Sequence, residues 1–190
     1  MASPAEPTIG MDALDRRIAG LAAVAIAIHV LEAGFPSPVP GIKPGLANVV
    51  TLIALLRHGV ACAAWVAGLR VLVGSLLVGS FLTPTFWLSA TGAICAFAAL
   101  AAAWLLGQAL PPLRLSALGL SVVAAVAHMS GQFVAAWKLF LPHDGLLMLL
   151  PLLLGAALIF GLVSGFIALR VLAAMQRIEP LEPQGGSGGY

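Results

Sequence analysis

Long apolar stretches alternate with short polar breaks along almost the whole chain. Helices of about twenty apolar residues are long enough to cross a bilayer. Proline, glycine or charged residues mark each break, and six apolar segments lie between the breaks: 18–34, 45–56, 60–79, 86–106, 115–140 and 146–174. The pattern predicts an all-α integral membrane protein with six transmembrane helices over residues 16–176. A polar leader, residues 1–15, precedes them, and a polar tail, residues 177–190, ends in a stretch that resembles an expression linker.

The break between the first two segments is rich in proline yet still apolar. Residues 34–44 include Pro36, Pro38, Pro40 and Pro44, and each proline fixes φ and removes a backbone donor. Non-helical backbone at membrane depth is tolerated where protein buries it or where it lines a water-filled cavity. We interpret residues 34–44 as an outer lid loop over a cavity, with a stiff connecting loop as the alternative.

Composition supports the membrane class. Apolar residues make up 61% of the chain and charged residues only 8%, with a mean hydropathy of +1.08, above the range of soluble globular domains. The net charge of +2 comes from few residues and indicates no nucleic-acid surface. Cys62 and Cys95 lie inside apolar segments without a Cys/His grouping. We interpret both as packing residues and predict no metal site and no cofactor.

The positions of the basic residues predict the orientation of the chain. With six spans, two lysines, Lys43 and Lys138, lie on one side of the membrane. Six arginines lie on the other side: Arg16, Arg17, Arg57, Arg114, Arg170 and Arg177. Positive residues concentrate in cytoplasmic loops, so both termini are predicted to be cytoplasmic.

Polar side chains inside the predicted helices concentrate toward the outer face. Charges within a bilayer are rare and need a partner or a wet cavity. His128 and Gln132 are four residues apart, so they share one face of a helix. We predict an outward-facing ligand-binding site and no catalytic residues; the site comprises Glu32, Lys43, Asn48, Arg70, His128 and Gln132.

Two of these assignments have a structural alternative. Arg70 and Glu32 form a mutual salt bridge in the alternative interpretation, because buried charges are usually paired. In the ligand-binding interpretation, Arg70 and Lys43 anchor an anionic group. His128 either packs against a neighbouring hydroxyl or forms a hydrogen-bonding wall of the cavity.

The first apolar segment carries a stripe of small residues. Ala19, Ala23 and Ala27 recur at intervals of four, which lets another helix backbone approach closely. The partner is either an internal helix or another subunit, and the sequence alone favours the internal helix.

Two blocks of the chain resemble a known family. GIKPGLANVVTL, residues 41–52, and AVAHMSGQ, residues 125–132, resemble the bacterial Gx transporter family, which is often labelled heptaprenyl diphosphate synthase component I. That family is similar to the substrate-binding S components of energy-coupling-factor importers. The resemblance implies six helices in the bacterial cytoplasmic membrane and a vitamin-like solute held near the outer face. It also implies that Ala19, Ala23 and Ala27 meet a transmembrane coupling subunit.

Three functions follow from these patterns. The first is a non-enzymatic solute-binding component for uptake, which would need separate coupling and ATPase subunits because the chain has no GxxxxGK[ST] loop for a nucleotide. The second is a prenyl- or quinone-binding subunit of a synthase. Catalysis by this chain is not predicted, because its three aspartates, Asp12, Asp15 and Asp144, are too scattered to hold Mg²⁺ on a diphosphate. The third is an accessory subunit of a membrane complex without a ligand of its own.

Overall fold

All regular secondary structure in the described part of the chain is helical. The computed structural model describes residues 12–34 and 47–178, and these form five α-helices without any strand: α1 (Ala13–Gly34), α2 (Ala47–Val78), α3 (Pro84–Ala109), α4 (Ala117–Ala135) and α5 (Leu150–Ile178). Five helical segments within the described residues are long and apolar enough to cross a membrane. The predicted all-α membrane class is confirmed at this level.

Helix α2 reverses direction at Gly59. Gly59 has φ 86° and ψ −177°, a left-handed φ that favours glycine. Asn48 and Arg70 are joined by a hydrogen bond of 2.8 Å, although 22 residues separate them. In a straight helix they would lie about 33 Å apart. Helix α2 is therefore a hairpin of two arms, residues 47–58 and residues 60–78, and the turn expected at this position is present.

The first arm of α2 is short for a membrane helix. Its twelve residues, 47–58, rise about 18 Å, whereas the hydrocarbon core of a bilayer is about 30 Å thick. As a helix, this arm is therefore too short to cross the whole hydrocarbon core. This length explains why five long segments are found where the sequence shows six apolar ones.

The core of the bundle is built around α2. Helix α2 contacts all four of the other helices, and most of the fully buried residues belong to it, including Leu52, Leu55, Cys62 and Val66. Small and branched side chains of the remaining helices complete this core: Ala25, Ala96, Leu100, Leu120, Ala124 and Ala168. The side chains of α2 therefore sit where all the helices meet.

Glycines allow α3, α4 and α5 to approach one another closely. A β-carbon at Gly131 of α4 would lie 2.7 Å from Cys95 Sγ on α3. A β-carbon at Gly165 of α5 would lie 2.9 Å from Leu118 Cα on α4, and Gly161 meets the same helix one turn earlier. Both cysteines of the protein are free thiols; Cys62 is buried, as a packing residue would be, whereas Cys95 is exposed.

The connection between α4 and α5 differs from the sequence-based boundaries. Helix α4 ends at Ala135 and continues as a π-helical turn, Ala136–Phe140, in which the Lys138 ammonium lies 4.1 Å from the centre of the Trp137 ring system. Residues Asp144–Leu149 form a 3₁₀ turn, so α5 begins four residues later than expected. Pro151 lies in the first turn of α5, where no amide donor is needed.

The small-residue stripe on α1 is exposed. Ala19, Ala23 and Ala27 all lie on the outer surface of the bundle, and no described helix covers them. Within the described ranges, the structure therefore gives no internal helix as the partner that the sequence favoured. The opposite face of α1, with Ala22 and Ala25, is the one that packs against α2. Residues 35–46, which include Lys43 and all of the lid loop except Gly34, lie outside the described residues. Residues 1–11 and 179–190 lie outside them as well.

Candidate functional site

Arg70 lies deep in the bundle and is held by the opposite arm of the α2 hairpin. Its guanidinium Nη1 donates the 2.8 Å hydrogen bond to Asn48 Oδ1. Hydrogen bonds in which one partner is charged are roughly twice as strong as neutral ones. The reversal at Gly59 places the two residues at the same depth, so two of the predicted site residues are in direct contact.

Glu32 supplies the opposite charge that acts on Arg70. It lies near the end of α1, is buried, and interacts electrostatically with the Arg70 guanidinium. Removing an arginine from water is costly unless a carboxylate and hydrogen bonds replace the lost hydration. Helix α1 and both arms of α2 therefore contribute to one buried polar cluster, which consists of Glu32, Asn48 and Arg70.

His128 and Gln132 lie together on α4, against a glycine of α3. A β-carbon at Gly92 would lie 2.6 Å from Gln132 Cγ and 2.9 Å from His128 Nε2, so any larger residue would push both side chains away. Arg70 and His29 both act electrostatically on the His128 ring. The structure thus brings the two predicted pairs, Asn48 with Arg70 and His128 with Gln132, into one region between α2, α3 and α4.

A small cavity lies beside Arg70 in that region. Its volume is about 10 Å³, which is close to the space that one buried water needs. Three polar residues of α2 line it, namely Asn48, Thr51 and Arg70, and the rest of the lining is apolar: Ala67, Ala93, Ala96, Phe97, Leu100 and Ala124. The small alanines come from three different helices, so the cavity lies on the seam where α2 meets α3 and α4.

Three buried polar atoms around this seam have no hydrogen-bond partner among the described residues. They are Thr51 Oγ1, Arg70 Nε and His128 Nδ1. Buried polar atoms in folded proteins are nearly always paired with protein or ordered water, so each exception needs an explanation. Polar atoms on two helices thus remain available for a small molecule in this region.

Sequence reasoning missed two residues of the site. Thr51 lies three positions after Asn48, on the same face of a helix, and this spacing was a usable signal. Gly92 gave no such signal, because its role depends on how closely α3 approaches α4. His29 packs against Gly74 of α2, where a β-carbon would lie 2.7 Å from His29 Cδ2.

A comparison with known protein families identifies the family to which the chain belongs. Residues 21–171, which cover most of all five helices, match the family described as heptaprenyl diphosphate synthase component I. The chain belongs to this family. The match confirms the family recognised from the GIKPGLANVVTL and AVAHMSGQ blocks. Comparison with curated proteins and with solved structures gives no match.

The candidate site lies within the range that matches the component I family. The matched range includes Glu32, Asn48, Arg70, His128 and Gln132, and it also includes Lys43. The exposed stripe on α1 is included only in part, because Ala19 precedes the matched range. The family description names one component of a synthase. The chain described here is a membrane-helical protein.

Proposed function

We propose that this protein is a non-enzymatic, membrane-embedded solute-binding component that captures a small vitamin- or cofactor-like molecule from the outer face of a bacterial cytoplasmic membrane. The observation that carries the proposal is the set of buried, unpartnered polar atoms on Thr51, Arg70 and His128. Ionisable and polar groups inside a membrane bundle are costly, and they mark solute pathways more often than packing sites. In the predicted topology His128 lies in the outer half of its helix and Arg70 near the middle of its own, which supports uptake from outside.

The proposal requires the seam between α2 and α3 to open. A cavity of about 10 Å³ accommodates a water but no vitamin-sized molecule, and ligand sites of that kind occupy about 300–1,000 Å³. Helix α2 contacts α3 and α4 less extensively than α3 contacts α4 or α1 contacts α2. Separation of the α1–α2 pair from the α3–α5 group would therefore break the fewest contacts and expose the polar atoms on both sides.

The proposed topology has six spans with both termini in the cytoplasm. The reversal at Gly59 supports it, because two arms of α2 return the chain to the side from which it came. Uptake would draw on separate coupling and ATPase subunits. The exposed face of Ala19, Ala23 and Ala27 supports a helix–helix contact with such a coupling subunit, since small residues allow close backbone approach.

Native mass spectrometry of the protein in mild detergent tests solute capture. Small molecules released from the wild type are compared with those from the Arg70→Lys/His128→Gln double variant, which keeps charge and approximate volume. The matched control is Lys138→Arg/His143→Gln, which likewise exchanges one basic residue for another and one histidine for glutamine, at exposed positions between α4 and α5. A stoichiometric compound in the wild type and the control, lost in the site variant, is the expected result. A folded wild type that carries nothing and is not stabilised by cell-extract metabolites would contradict the proposal.

A second candidate function is a non-catalytic subunit of a prenyl diphosphate synthase or another membrane complex. The family description and the small volume of the cavity favour this alternative. It predicts that a protein partner, rather than a solute, contacts the bundle. Ala23→Leu on the exposed α1 face, with Ala64→Leu on the exposed face of α2 as control, separates a specific partner contact from general lipid exposure. Loss of a co-purified multi-pass membrane protein in Ala23→Leu alone, together with a solute-free wild type, is the result expected for this function.

A further inference from the structure

The cavity between α2, α3 and α4 presents hydrogen-bond donors to one small occupant. Arg70 and Thr51 each keep only 5% of their surface exposed and both line the cavity. Arg70 Nε can only donate, and the Thr51 hydroxyl can donate or accept. Neither atom has a protein partner in the described ranges, while Nη1 of the same guanidinium already donates to Asn48. The occupant must therefore offer an acceptor to Arg70, and an oxygen atom is the matching chemistry.

The charges around the cavity set the charge of that occupant. The Arg70 guanidinium in the cavity wall is positive, and the buried Glu32 carboxylate, which acts on it from outside the lining, is negative, so their formal sum is zero. The other described residues that line the cavity are uncharged, and most of them are alanine, leucine or phenylalanine. A further negative charge placed here would lack a counter-charge in an apolar surrounding, which is strongly unfavourable. An uncharged acceptor needs no such compensation.

We infer that this cavity is a subsite for one uncharged acceptor oxygen. In the solute-free protein a single water molecule holds it, bonded to Arg70 Nε and Thr51 Oγ1, and the volume of about 10 Å³ suits that occupant. In the solute complex a carbonyl or hydroxyl oxygen of the solute replaces this water. The replacement of the water by a solute oxygen rests on the proposed function. It assigns an uncharged polar group, and not a carboxylate or phosphate, to the end of the solute that enters the cavity.

A crystal structure of the full chain in sodium bromide tests the charge preference directly. Bromide scatters anomalously, so a bound anion is distinguishable from water at the same position. The expected result is a peak without anomalous signal, within hydrogen-bond distance of Arg70 Nε and Thr51 Oγ1. An anomalous bromide peak at this position would show an anion site and overturn the inference. A cavity without density in well-ordered protein would overturn it as well.

Two substitutions at Thr51 provide the matched comparison. Thr51→Ser keeps the hydroxyl and should keep the peak, whereas Thr51→Val keeps the shape, removes the hydroxyl and should lose the peak. If Thr51→Val does not fold, the wild-type crystal in bromide still decides the question. A water peak combined with solute-free protein in mass spectrometry would reject the proposed function and retain the subsite. A bromide peak combined with a captured solute would reject the subsite for an uncharged oxygen and retain the proposed function.

Discussion

At the scale of single residues, the buried polar side chains of α2 are the positions where sequence and structure agree best. Arg70 and Asn48 were identified because polar groups are costly inside a membrane helix, and the structure joins them by a hydrogen bond. Thr51 was missed because a threonine in a helix often bonds the backbone of the preceding turn, so its presence alone carries little information. The hydroxyl of Thr51 instead lacks a partner among the described residues.

The contact between Asn48 and Arg70 should contribute measurably to stability. Replacing Asn48 by Ala removes the acceptor of a charged donor, and hydrogen bonds to charged groups are worth about 1.5–3 kcal/mol. We expect Asn48→Ala to lower the free energy of unfolding by about that amount in mixed detergent micelles. Gln108→Ala, at an exposed position near the end of α3, is the control and should change stability by less than about 0.5 kcal/mol. Equal stability of the two variants would show that the guanidinium does not depend on Asn48.

A second residue-scale prediction concerns the turn between α2 and α3. Leu82 has φ 61°, the left-handed region that costs residues with a β-carbon about 1–2 kcal/mol, and its side chain is exposed. Leu82→Gly removes this strain but increases the flexibility of the unfolded chain, so we expect a net gain of about 0.5 kcal/mol in unfolding free energy. Leu82→Val is the control and should lower stability, because a β-branched residue tolerates this conformation poorly. A lower melting temperature for Leu82→Gly than for wild type would contradict the assigned turn.

At the scale of helices, existence and type were predictable from the sequence, while the contacts between helices were not. The apolar segments beginning at residues 86 and 115 gave α3 and α4 within a few residues, because length and hydropathy suffice for a membrane helix. For the stripe of Ala19, Ala23 and Ala27 the spacing favoured an internal helix, but no described helix covers it. Small residues occur on both faces of α1, so spacing alone cannot identify the face that packs inward. Gly92 and Gly165 acquire their roles only through the approach of a neighbouring helix.

Two glycines of α5 give a matched test of that approach. A β-carbon at Gly165 would lie 2.9 Å from the Leu118 backbone, whereas a β-carbon at Gly155 would meet nothing within 4 Å. Overpacking at a tight contact costs about 1–3 kcal/mol, so Gly165→Ala should lower the free energy of unfolding by that amount. Gly155→Ala should leave it unchanged or raise it by up to about 1 kcal/mol through better helix propensity. Equal effects of Gly165→Ala and Gly155→Ala in a detergent unfolding titration would contradict the close approach of α5 to α4 at Gly165.

At the scale of the whole molecule, the bundle consists of a pair, α1 with α2, and a group, α3 to α5, that meet along a polar seam. The most extensive helix contacts lie within these two units, and α2 makes the fewer contacts that connect them. The candidate site draws on both units, because Asn48 and Arg70 come from the pair and His128 from the group. Any relative movement of the two units therefore changes the site.

The reversal in α2 makes a prediction about topology. With six spans, Asp12 and Arg177 lie on one side of the membrane and His143 on the other. Single cysteines at these exposed positions, in a background with Cys62→Ala and Cys95→Ala, can be labelled in intact cells with a membrane-impermeant maleimide. We expect labelling of His143→Cys only, with Asp12→Cys and Arg177→Cys reacting after the membrane is permeabilised. Labelling of one terminus but not the other in intact cells would show an odd number of spans.

The hairpin at Gly59 also has a consequence for how the protein enters the membrane during synthesis. An arginine at the centre of a lone helix opposes insertion by about 2.5–3.5 kcal/mol. Because the first arm of α2 precedes Arg70, the nascent chain already carries Asn48, and also Glu32 on α1, when the arginine leaves the ribosome. We expect α1 and α2 to insert as one unit, so that a chain truncated after residue 83 still integrates and Asn48→Leu with Glu32→Leu reduces its integration. The later helices would then close over a guanidinium that already has its partners.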